Sequence, residues 1–140
     1  MTGKCLGVDF GQRRIGIAVS DALGMVATPH SVIQVEKPGK AVQDVADLAR
    51  ELGVARIVVG LPLHMDGGKG ELAELAEAFM DKLRGCAAAP VEAWDERLTS
   101  RQAENVLIEA GTRRDKRKQV IDKLAAQLLL QSYLDANAEF

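Results

Sequence analysis

Residues 6–21 read LGVDFGQRRIGIAVSD, two apolar runs of strand length joined by a short FGQR link. Strands joined so tightly must pair antiparallel, because a parallel crossover needs about a dozen residues or more. The stretch therefore predicts a β-hairpin, Lys4 to Phe10 and Ile15 to Ser20, at the start of the fold. Its first strand ends on Asp9. A carboxylate closing a run that otherwise reads as buried sheet is costly unless something compensates it.

The rest of the chain sets the sheet around that hairpin. A third strand is expected near His30 to Val35, after Pro29. The period then changes. Val42, Val45, Ala46, Ala49 and Leu52 recur at helical spacing, and Gly53 follows as a C-terminal stop. Arg56 to Gly60 is a short apolar strand of the kind found inside parallel sheets. The glycine-rich loop GLPLHMDGGKG leads to a helix over Glu71 to Leu83, and Val91 to Trp94 forms the next strand, ending at Asp95-Glu96. Thr99 can cap a helix running to Ala110, and a last helix spans Lys116 to Ala136. The expected fold is α/β: a mixed five-stranded sheet flanked by helices, three antiparallel strands followed by βαβ crossovers. If the later strands run parallel to the first, their C-terminal ends share one edge of the sheet, where α/β proteins place ligands.

Composition limits what this fold can serve. At 140 residues, 47% hydrophobic and 27% charged, the chain suits one soluble domain over residues 1–140. It has no uninterrupted apolar run near the roughly 18 residues of a membrane span, and its first residues lack a secretion signal, so no membrane partner and a cytoplasmic location are expected. Cys5 and Cys86 have neither CxxC spacing nor histidines at zinc spacing, and are expected to be reduced, inert thiols. The net charge of -2 does not announce a nucleic-acid partner. The run TRRDKRKQ, however, gathers Arg113, Arg114, Lys116, Arg117 and Lys118 around a lone Asp115.

The inferred topology brings Asp9 and the Asp95-Glu96 pair to one sheet edge. Asp122 is a further candidate, because its helical neighbours Ala125, Ala126 and Leu129 point to a closely packed face. Each acid alone is an ordinary surface charge. Converging in a partly buried place, they repel one another and need either a proton or a cation. Carboxylates without nearby thiol or imidazole suit Mg²⁺ or Mn²⁺. Two such ions about 4 Å apart, bridged by Asp9, would activate a water and stabilise the leaving oxygen of a phosphodiester.

Four phrases, GVDFGQRRIGIAVSD, IVVGLPLHMDGGKGE, WDERLTSRQAE and IDKLAAQLLLQSYL, occur in this order over most of the chain. Together they resemble the YqgF family, also called RuvX, RNase H-like bacterial proteins related to the RuvC Holliday junction resolvases. The resemblance implies an RNase H-like three-layer fold and a divalent-metal-dependent nuclease. It implies action on the 5′ end of pre-16S rRNA in ribosome biogenesis, with ribosomal precursor particles as partners. An older assignment of the family implies a Holliday junction resolvase acting on branched DNA. Carried over by motif, the family's catalytic and metal-binding acids fall on Asp9, Glu96 and Asp122. In LPLHMDG, His64 stands where asparagine is common in the family, which touches the loop and not the acids.

The basic groups then acquire a task. Arg13 and Arg14 lie just after Asp9, Arg97 follows Glu96, and Arg113, Arg114 and Arg117 precede the Asp122 helix. Arginine suits bidentate phosphate contact, which holds a backbone without reading its sequence. Lys69 could join from the glycine-rich loop, although that loop is not a Walker motif. Aromatic residues make up 4% of the chain, too few to signal a base-stacking platform, which favours recognition of backbone shape. Two other classes fit the same pattern, a nucleotide-binding module of the kind that opens actin and sugar kinases, and a non-catalytic RNA-binding protein. The first needs two domains closing over ATP, and this chain has room for one. Resolving a junction takes two active sites and so a homodimer, whereas trimming rRNA needs only a monomer.

Overall fold

In the computed structural model the described residues are 3–62, 70–95 and 114–137, with the backbone alone for 114–121. Five strands, β1 (Cys5–Asp9), β2 (Arg14–Ser20), β3 (Ala27–Gln34), β4 (Arg56–Leu61) and β5 (Val91–Asp95), form one sheet in the order β3-β2-β1-β4-β5. β1 pairs antiparallel with β2, and β2 with β3. β4 runs parallel to β1, and β5 parallel to β4. The mixed topology read from the sequence is thus the observed one. Helices α1 (Pro38–Leu52) and α2 (Glu71–Cys86) cover one face, and α3 (Arg114–Ala136) covers the other.

Strand alternation sorts the side chains between two cores. Leu6, Val8, Ile15, Ile17, Ile57, Val59 and Val91 pack with the α1 and α2 residues Val42, Val45, Phe79 and Leu83. On the other face Cys5, Ala18 and Val58 meet Ala126, Leu130, Tyr133 and Leu134 of α3. β1 and β4 are buried on both faces, which is why they read as continuous apolar runs. α1 begins with proline in its first turn and stops at Gly53, whose φ of 66° is the left-handed conformation that glycine adopts without strain.

β3 starts earlier than the expected His30. Pro29 lies inside it, opposite Ala18, and the register slips between Ile17 and Ala18 so that His30 is the extra residue of a bulge. An edge strand tolerates both, since a proline there removes no central ladder bond. α3 is pinned to this edge by two glutamines. The Gln131 side chain accepts from Ala27 N at 2.9 Å and donates to Met25 O at 2.9 Å, while Gln127 donates to Ala27 O at 3.1 Å. Among the described residues no helix is long and apolar enough to cross a membrane.

Candidate active site

The C-terminal ends of β1, β4 and β5 lie side by side at one sheet edge, with Leu61 in register with Asp95 and Val8 with Val59. Asp9 closes β1 there and is half-buried. Because Cys5, Gly7 and Asp9 alternate with Leu6 and Val8, Asp9 belongs to the α3 face of the sheet. Across the ladder its partner is Gly16 of β2.

Gly16 is where α3 comes down. A Cβ built on it would lie 1.9 Å from the carbonyl oxygen of Asp122, so the helix backbone rests on the strand at that point. A second glycine, Gly7, allows the same approach further along, since a Cβ there would lie 2.8 Å from Leu130 Cβ and 3.2 Å from Ala126 O. The expectation that Ala125, Ala126 and Leu129 mark a tightly packed face is met: all three are fully or almost fully buried. Asp122 is thereby held beside Asp9, one strand position away, through a chain of backbone contacts. The approach of the Asp122 backbone to the strand position beside Asp9 is thus a product of close helix-to-sheet packing.

Asp122 does not stand alone. Arg14 Nε donates to Asp122 Oδ2 at 2.6 Å, and the two side chains are 30% and 20% exposed. Arg14 opens β2 two residues before Gly16, and so projects from the same face. The link before it is held in shape: Val35 N donates to Arg13 O at 2.9 Å, and Gly11 packs so closely on the Arg14 carbonyl that a Cβ would lie 2.4 Å from it. Arg13 is exposed at the same turn.

Asp95 ends β5 exposed, and alternation puts it on the face opposite Trp94. Trp94 packs against the α3 core, its ring edge-on to Tyr133 at 5.3 Å. Asp95 therefore faces away from Asp9 and Asp122. Glu96, Arg97, Lys69, His64 and Arg113 lie outside the described residues. Arg114 and Arg117 fall in the first two turns of α3, leading along the helix to Asp122. Among the described residues no three His, Cys, Asp or Glu side chains gather as a metal would require. Asp9 and Asp122 are hard oxygen donors on neighbouring elements, and the Arg14 guanidinium is already the cationic partner of Asp122.

Sequence reasoning singled out the acids and missed the glycines that let α3 approach the sheet. The signal was present, since glycine inside a strand often marks close approach of another backbone, and Gly7 and Gly16 both sit mid-strand.

A family profile described as "RuvX: Holliday junction resolvase" matches residues 3–136. The chain belongs to the RuvX family. Its curated RuvX relatives include proteins of Pelotomaculum thermopropionicum, 48% identical over 95% of this chain and 87% of the relative, and Symbiobacterium thermophilum, 48% identical over 94% and 92%. Both carry the name "Putative pre-16S rRNA nuclease". Among solved structures, Thermus thermophilus RuvC in complex with a Holliday junction substrate superposes with a TM-score of 0.60 at 18% identity, covering 96% of each chain. The fowlpox virus Holliday junction resolvase gives 0.58 at 14% identity, covering 95% of this chain and 99% of the other. At such identities the likeness is one of fold, and it identifies this RuvX chain as an RNase H-like three-layer structure.

Proposed function

We propose that this RuvX chain is a divalent-metal-dependent nuclease of one domain over residues 1–140, hydrolysing nucleic-acid phosphodiesters. Its first candidate substrate is the precursor of 16S rRNA, for which its curated relatives are named. The observation that supports the reading is the descent of the α3 backbone at Asp122 onto Gly16, the ladder partner of Asp9, at the C-terminal edge of β1. A strand-end carboxylate on the face where the Asp122 turn of α3 rests makes little sense as packing and good sense as part of a cation site. Glu96 is the third acid in this reading, and the outward face of Asp95 supports that choice over its neighbour. The donors are carboxylate oxygens with no thiol or imidazole among them, which fits Mg²⁺ or Mn²⁺.

Bound there, the metal would supply Lewis-acid charge and a bound water of lowered pKa. The chain's own residues supply the rest. Asp9 and Asp122, on two different elements, would hold the ion between strand and helix. Arg13, Arg14, Arg97, Arg113, Arg114, Arg117 and Lys69 meet the phosphates around the edge and hold the backbone in register without reading bases.

The test offers a precursor 16S rRNA 5′ fragment and a four-way DNA junction side by side. Cleavage of the rRNA fragment is expected with Mg²⁺ or Mn²⁺, abolished by EDTA, and reduced at least about 100-fold by Asp9→Asn, Glu96→Gln or Asp122→Asn. Cleavage surviving all three substitutions would refute the site. Preference for the junction would move the substrate to branched DNA while leaving the site intact.

A further inference from the structure

Within the proposed site, Arg14 already occupies part of what a cation needs. Its Nε is 2.6 Å from Asp122 Oδ2, both side chains are less than one-third exposed, and each is fixed by backbone packing. Such a pair differs from two surface chains that happen to meet, because the strand and the helix hold both ends in place. A guanidinium and a divalent cation compete for the same carboxylate oxygens. The same guanidinium also has the fork of donors that suits a phosphate. With Nε on Asp122, the side-on fork that pairs Nε with an Nη is closed to a phosphate until that bond is released.

We infer that Arg14 is an exchangeable counter-ion: it neutralises Asp122 while the site holds no metal, and is released to the substrate's phosphate when a divalent cation takes Asp122. The inference rests on the proposed metal site and adds to it a coupling between metal and nucleic acid. Metal binding frees Arg14 for the backbone, and a backbone that draws Arg14 away exposes Asp122 to the metal. By reciprocity each ligand raises the affinity of the other by the same factor. The exchange keeps Asp122 from standing as an uncompensated, partly buried charge in either state. A purely orienting arginine, one that stays on Asp122 and aims it at the metal, predicts the opposite sign in the experiment below.

The experiment measures Mn²⁺ affinity by calorimetry without nucleic acid for wild type, Arg14→Gln, Arg14→Lys and Asp9→Asn. Removing the competitor should tighten Mn²⁺ binding by about three- to tenfold in Arg14→Gln, the scale of a partly exposed ion pair. Arg14→Lys keeps the charge without the fork and should fall between. A short RNA duplex is then titrated with and without Ca²⁺, its integrity checked after each run. Ca²⁺ should strengthen RNA binding several-fold more for wild type than for Arg14→Gln. Metal held by the RNA itself is common to both proteins and cancels in that comparison. Mn²⁺ binding that is unchanged or weakened in Arg14→Gln overturns the inference while the metal site stands. Wild-type Mn²⁺ binding that is absent, or unaffected by Asp9→Asn, overturns the site and the inference with it. Equal thermal midpoints for wild type and Arg14→Lys guard against misfolding as the cause, and the lysine variant then carries the comparison alone should the glutamine variant unfold.

Discussion

Gly16→Ala tests the geometry on which the site depends. The added methyl carbon would lie 1.9 Å from the Asp122 carbonyl oxygen, about 1.5 Å short of the 3.4 Å at which ordinary contact begins. The obstacle is helix backbone, which cannot rotate aside as a side chain would, so α3 must lift or tilt. Overpacking of this kind costs about 1–3 kcal/mol. We expect about 3 kcal/mol here, because the helix that must move buries Ala125, Ala126, Leu129, Leu130, Tyr133 and Leu134. The shift should concentrate at Asp122, since Gln127 and Gln131 anchor the helix to the β3 edge further along. Metal ligands tolerate only about 0.2 Å of displacement, and a misplacement near 1 Å costs on the order of 100-fold in rate. Urea unfolding followed by the single tryptophan is the assay, because Trp94 sits edge-on to Tyr133 of α3 and senses its docking. Gly39→Ala is the control: nothing lies within 4 Å of its added Cβ, and it occupies α1, where alanine should be neutral or stabilise by up to about 1 kcal/mol. A Gly16→Ala protein matching wild type in urea midpoint, Mn²⁺ affinity and cleavage rate would refute the reasoning.

Two further outcomes follow from local chemistry. Cys5 is buried, which pushes its thiol pKa up, whereas Cys86 is exposed. A thiol reagent should therefore modify one cysteine in the native protein and the second only after unfolding, with Cys86→Ser abolishing the early reaction; two fast thiols would contradict the packing of β1. At the hairpin between β2 and β3, the backbone N–H groups of Met25 and Val26 donate to Asp21 Oδ1 at 2.8 and 3.2 Å and hold its carboxyl below the usual aspartate range. A depressed folded-state pKa contributes stability above the unfolded value, near 3.9, which is lost as pH falls through the folded one. The wild-type advantage over Asp21→Asn in urea midpoint should be present at pH 7 and shrink at pH 3. An advantage independent of pH would show that the charge plays no part.

Much of the fold was legible because its signals are local. The FGQR link forced an antiparallel pair, the continuous apolar runs of β1 and β4 marked central strands, and Gly53 ended α1 where a left-handed residue was needed. Pro29 misled the placement of β3, since propensity takes no account of whether a strand lies at an edge or carries a bulge. The acids Asp9 and Asp122 were legible as chemistry, each an ionisable group in an apolar context. The descent of the Asp122 turn onto β2 was not, because it runs through Gly16, and a glycine in a strand does not reveal which backbone will approach it. The Arg14–Asp122 pair was equally hidden, its partners being 108 positions apart.

What the sequence determined by itself was therefore the set of elements, their order, and which residues carry charge into apolar surroundings, all consequences of period and spacing along the chain. What the tertiary structure decided was which charges meet. Helix-to-sheet distance depends on the α3 backbone at Asp122 and Ala126, and on Leu130, finding glycines on β1 and β2, and that match exists only once the sheet is assembled and α3 lies across it. Strand alternation also turned Asp95 away from the face on which Asp9 lies and over which α3 packs.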